Sequence, residues 1–209
     1  SLSVEEAVAI LAPLCDALAA AHAQGIIHRD IKPSNVFLDE SLTPGSPRVV
    51  LLDFGVAKLL EGDGPRLTTS RHLIGSLASM APEQIRGLPV DGRADVYALG
   101  VLAYELLCGR PPFMSGSPQA LQQMHLYVAP RPLTSVPEVG AALNAAVLRA
   151  LSKEPEHRQP TPQAFLAEIL AATGGPRVSA EGRALGVHVE ARLVEGAPPE
   201  EPGEEAMAD

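Results

Sequence analysis

The 209 residues include no tryptophan, seven tyrosines and phenylalanines together, two cysteines and three lysines. Cys15 and Cys108 lie far apart in apolar surroundings, which makes neither a disulfide framework nor a metal site. They read as small buried residues of a reducing compartment, so a cytoplasmic location is expected, with a membrane anchor open to the full-length protein outside this stretch. The sixteen lysines and arginines form no cluster able to track a phosphate backbone, which argues against nucleic acid or an anionic membrane surface as a partner. No stretch reaches the roughly 18 uninterrupted apolar residues of a membrane span, because Asp16 breaks the best candidate, Ala7–Ala21. A leader is missing too: the chain starts at Ser1 and reads as a piece of something longer.

What is present suffices for one sizeable core, since 46% of the residues are apolar. The net charge of −9 is uneven: residues 173–209 hold 8 acids and 3 bases, against 17 and 13 before them. One domain over 1–172 is therefore expected, followed by an acidic tail rich in proline and glycine. Within that tail, the alternation in Arg183–Val194 reads as the possible first strand of a second, truncated domain.

Ser3 with Glu6 is a capping-box pair, and Val4, Val8, Leu11, Cys15, Leu18 and His22 follow at helical spacing. This predicts a helix over Val4–His22, kinked at Pro13. Val36–Leu38 and Val49–Leu52 read as a hairpin with a long, turn-rich loop. From Asp53 to Met80 the sequence is polar and irregular, a length of loop that is functional or disordered. Ala94–Leu107 is apolar on nearly every face, as a helix inside a domain should be. Ala120–Tyr127, Val139–Leu151 and Pro162–Ala172 are three further amphipathic candidates.

The chemistry is concentrated in "HRDIKPSN" (His28–Asn35), "DFG" (Asp53–Gly55) and "APE" (Ala81–Glu83). A lone aspartate beside proline or glycine ordinarily caps a turn. The ordered set is more specific: it resembles the catalytic loop, metal-binding loop and activation-segment end of the eukaryotic-like serine/threonine protein kinases. The resemblance covers Ser1 to about Leu170. It implies a mainly α fold with small β-hairpins, the C-terminal lobe of a protein kinase. The alanine- and arginine-rich composition suggests a bacterial source.

Phosphoryl transfer needs positioning, cations and a base near the attacking hydroxyl. By resemblance, Asp30 is that base and Lys32 sets an ammonium on the γ-phosphate of ATP. Asn35 and Asp53 supply the hard oxygen ligands that Mg2+ prefers. Ser76 keeps a hydroxyl near Asp30 and Lys32, although Leu77 and Ser79 replace the commoner proline and tyrosine of that segment. Thr68, Thr69 and Ser70 are candidate phosphorylation sites, and Arg29 would read the phosphate. Structural roles fall to His28, Phe54 and Gly55, to a buried Glu83–Arg158 ion pair, and to Asp95 as a brace of the catalytic loop. Lys32 and Pro33 match the serine/threonine pattern, so the expected partner is a protein substrate with Ser or Thr.

The family's glycine-rich lid, lysine and glutamate of the N-terminal lobe do not appear, and Gly62-Asp63-Gly64 cannot replace the lid. That lobe is expected before Ser1, as a further partner, and the chain by itself is expected not to transfer phosphate. The rival reading is a kinase-like binding or scaffold module. Retention of Asp30, Lys32, Asn35 and Asp53 argues against it.

Overall fold

The computed structural model describes residues 1–39, 48–52, 75, 77–133 and 136–174. Helix α1, Val4–His22, begins with the expected capping box: Ser3 Oγ accepts the Glu6 N–H at 3.2 Å, and Glu6 Oε2 accepts the Ser3 N–H at 2.8 Å. It runs through Pro13 as one element. The proline forfeits one intrahelical bond, and burial of Leu11, Leu14, Cys15 and Leu18 along the same face offsets that loss.

Strands β1 (Val36–Asp39) and β2 (Arg48–Leu51) pair antiparallel, with Val36 opposite Leu51 and Asp39 opposite Arg48. They form a two-stranded sheet, and α1 packs on β2. Phe37, Leu38 and Leu52 stay exposed at this hairpin.

Next come the short helix α2 (Pro82–Ile85) and the long helix α3 (Arg93–Cys108). α3 is buried over most of its length and is surrounded by α1, α5 (Ala141–Ala150) and α6 (Pro162–Ala172). The approach of α5 is close enough that a Cβ on Gly100 would meet Ala150 Cβ at 2.8 Å. Glycine is therefore required there by packing rather than by backbone angle. A second apolar cluster, Leu77 with Phe113 and Leu121, fixes the end of the 75–80 segment against α4 (Pro118–Tyr127).

Two helices start elsewhere than the periodicity suggests. α4 begins at Pro118, not Ala120, because Ser117 caps it and proline is tolerated at the first helical position. α5 begins after Gly140, which leaves Val139 as a buried residue of the preceding loop. Asp53, Phe54, Gly55, Thr68, Thr69, Ser70, Ser76 and the strand expected at Arg183–Val194 lie outside the described residues.

Candidate active site

Asp30 sits in the loop between α1 and the 3₁₀ turn Pro33–Asn35. Its Oδ2 accepts from Lys32 Nζ at 2.7 Å and from Asn35 Nδ2 at 3.3 Å. Asn35 Nδ2 also donates to the Asp30 carbonyl at 2.8 Å, so the turn that proline starts folds the amide back over the aspartate. Using Nδ2 for both bonds leaves Asn35 Oδ1 as a hard acceptor oxygen on a buried side chain. A carboxylate held against an ammonium and an amide, yet still reachable by water, can accept a proton from a hydroxyl placed beside it.

The loop is held from beneath by Asp95 in the first turn of α3. Its Oδ2 accepts the His28 N–H at 2.9 Å, and its Oδ1 accepts the Arg29 N–H at 2.8 Å. His22, the last residue of α1, donates from Nε2 to Asp95 Oδ2 at 2.7 Å. Room for this imidazole depends on Gly92, where a Cβ would lie 2.7 Å from the ring. Fully buried Asp95 thus gathers three N–H donors, which compensates the burial of its charge.

His28 is wholly buried and its two ring nitrogens have different partners. Nδ1 accepts the Asp30 N–H at 3.3 Å, and Nε2 lies 3.1 Å from the Leu52 carbonyl. The first bond requires an unprotonated Nδ1, so the second is a donation by Nε2–H and the ring is neutral. His28 therefore ties the Asp30 loop to the residue that precedes Asp53.

Glu83 and Arg158 meet as a bidentate pair, with both contacts at 2.7 Å. The remaining guanidinium donors go to the carbonyls of Ser152, Arg93 and Lys153 at 2.8, 2.9 and 2.9 Å. All five donors are used, and the guanidinium lies 4.9 Å from the Tyr97 ring centroid. Next to Glu83, Gln84 reaches back to the Asp30 loop: its Nε2 donates to the Arg29 carbonyl at 3.1 Å.

The structure thus brings together Arg29, Asp30, Lys32, Asn35, His28 and Asp95, and places Glu83 with Arg158 behind them. Residue patterning missed His22, Gln84, Tyr97, His125 and Lys153. His22 read only as an apolar-face position of α1, and its partner is 73 residues away, beyond the reach of local periodicity. Burial drives His125 down to about 4, with the Lys153 charge adding to it, while burial followed by the Arg158 and Arg86 charges lowers Lys153 to about 8.

Beside Lys32 lies a cavity of about 450 Å³, lined among others by Ser34, Gly75, Ser79 and Glu105. Burial alone raises the Glu105 carboxyl above its usual range, and Glu105 makes no ion pair among the described residues.

The protein kinase domain model matches residues 1–183. Serine/threonine-protein kinase Pkn1 of Myxococcus xanthus is 48% identical over 165 residues, which are 78% of this chain and 24% of Pkn1. Serine/threonine-protein kinase PkaA of Streptomyces coelicolor is 42% identical over 182 residues, 87% of this chain and 30% of PkaA. PknB of Mycobacterium tuberculosis is 37% identical over 175 residues, 83% of this chain and 27% of its own length. The chain therefore spans about a quarter of the length of the curated relatives it matches. A crystal structure of the Mycobacterium tuberculosis PknI kinase domain, a double mutant, superposes with a TM-score of 0.61 at 31% identity, over 83% of this chain and 57% of that one. On the match across residues 1–183 and these relatives, the chain belongs to the protein kinase domain family.

Proposed function

We propose that the protein carrying this chain transfers the γ-phosphate of ATP to serine or threonine hydroxyls of proteins, with Asp30 as the base. One observation carries the reading: Asp30 Oδ2 is held at 2.7 Å by Lys32 Nζ on a loop anchored through two backbone N–H groups to buried Asp95. Such anchoring fixes a proton acceptor before substrate arrives, which is where enzymes gain most in charge-developing steps. Lys32 balances negative charge on the phosphoryl group as it moves toward the hydroxyl.

The donor set fits a magnesium–nucleotide. Asn35 presents Oδ1 as a neutral oxygen ligand, and Asp53 would add a carboxylate. Bound magnesium would neutralise phosphate charge and orient the leaving group. Arg29, adjacent to Asp30, keeps its Nε buried without a hydrogen-bond partner, which supports a role in holding a phosphate on Thr68, Thr69 or Ser70. Ser76 would contribute a hydroxyl beside Asp30 and Lys32. Residues 1–172 act in this reading as the lower lobe of the catalytic domain.

The cavity beside Lys32 is suited to the peptide around the acceptor hydroxyl, and Glu105 on its wall, which makes no ion pair among the described residues, favours an arginine or lysine there. The test is a radiolabel transfer assay on the full-length protein with Mg-ATP and peptides that carry Ser, Thr or Tyr, each with and without a nearby arginine. Label on Ser or Thr, with preference for the basic peptides that E105Q removes, is expected. Label on tyrosine alone, or no transfer, would refute the reading.

A further inference from the structure

Gln84 joins two segments that lie 55 residues apart in sequence. It is the third residue of α2; its Oε1 accepts the Ala81 N–H at 2.9 Å while its Nε2 donates to the Arg29 carbonyl at 3.1 Å. Arg29 has φ of 65°, and it is the one non-glycine residue with positive φ among the described residues. That conformation costs on the order of 1 kcal/mol for an arginine and persists only where surrounding groups fix it. Here both backbone polar groups are fixed, the N–H by Asp95 Oδ1 and the carbonyl by Gln84. The carbonyl that Gln84 holds belongs to the same peptide plane as the Asp30 N–H. The tilt of that plane sets the direction in which the Asp30 side chain leaves the backbone. α2 gives Gln84 a fixed base, because the neighbouring Glu83 is locked by Arg158.

We propose that Gln84 is a positioning residue for Asp30, setting the catalytic loop against the end of the activation segment. The proposal rests on the kinase reading of Asp30 and adds to it a link between the two segments. Only an amide serves, since one end must accept and the other donate. Glutamate would keep the bond to Ala81 and lose the donor to Arg29. Methionine keeps the length and loses both.

The test uses the full-length protein with the variants Q84E and Q84M, assayed by steady-state phosphotransfer and thermal melting. Both should lower kcat about ten-fold, equivalent to about 1.4 kcal/mol and within the range of one hydrogen bond. KM for Mg-ATP and peptide should stay near the wild-type value, and Q84E should melt close to the wild type because its cap survives. Lowering the pH protonates the new carboxyl of Q84E and restores a donor, so its kcat relative to wild type should climb as the pH falls from about 6 to about 4, through the ordinary glutamate range. The Q84M ratio should stay flat. Taking ratios cancels titrations shared with the wild type, including those of Asp30, His28, Lys32 and Asp95. A loss that follows melting temperature and ignores pH would reduce Gln84 to a structural residue and overturn the proposal. An active wild type with an indifferent Q84E would overturn this inference alone; an inactive wild type would overturn the kinase reading and the inference with it.

Discussion

The pairs Asp30–Lys32 and Glu83–Arg158 have the same closest contact, 2.7 Å, and opposite surroundings. Side-chain exposure is 17% and 20% in the first pair, 5% and 0% in the second. Arg158 spends every donor on a carboxylate and three carbonyls, so nothing is left to bind a substrate. Asp30 keeps part of its side chain open to solvent. A short ion-pair distance therefore does not separate chemistry from architecture; the fate of the remaining donors and the access of solvent do.

The largest expected effect breaks the first pair. Asp30→Asn keeps the volume and removes the proposed base, so kcat in the full-length protein should fall by at least about 10²–10⁴-fold, the contribution of a positioned general base. Melting temperature should be unchanged, because backbone anchoring by Asp95 does not involve the Asp30 carboxyl. Wild-type turnover by this variant would remove Asp30 from the mechanism and erase the distinction between the two pairs.

Breaking the second pair should do the reverse, with damage to stability first. Removing one partner of a buried pair costs about 3–5 kcal/mol, while replacing both by apolar residues of similar volume costs far less. Arg158→Met should exceed Glu83→Gln, since it also strands the carbonyls of Ser152, Arg93 and Lys153. A double-mutant cycle by denaturant melts, with Glu83→Leu combined with Arg158→Met, measures the coupling. Additive effects below a kilocalorie would contradict the sealed geometry.

Much of this contrast was legible in the residues. The capping box of Ser3 and Glu6, the all-round apolar α3 and the proline-led α6 each carry a local signal, and the elements follow it closely. Asp30, Lys32 and Asn35 fall within six residues, so a single loop brings them together whatever the rest of the chain does. The supports were harder to see. His22 and Gln84 reach partners 73 and 55 residues away, and the sequence around each looks like ordinary helix. His125 owes its lowered pKa to burial and then to Lys153, and Lys153 to burial and then to Arg158 and Arg86, which no local pattern records.

That last pair gives a third charged region and the smallest predicted effect. Among the described residues Lys153 pairs with no carboxylate: its ammonium donates to the carbonyls of Met124 and His125 at 3.2 and 2.7 Å and lies 4.4 Å over the Phe113 ring. His125 is fully buried, with Nδ1 2.8 Å from the Tyr97 hydroxyl and its ring edge-on to Phe113. Burial, then the Lys153 charge, lowers His125 from 6.5 to about 4. Between those values the unfolded chain binds a proton that the folded chain refuses, so folding stability falls as pH drops through this window and the loss levels off below about 4. The shift corresponds to at most about 3 kcal/mol. Denaturant melts of wild type and His125→Gln from pH 7.5 to pH 4 isolate it, because carboxylates common to both proteins cancel in the difference. The variant should be the less stable at neutral pH, where it weakens the contact with Tyr97, and should close the gap as the solution is acidified. Parallel curves would mean that His125 reaches solvent and protonates freely, and that the Lys153 region is not sealed like the Arg158 one.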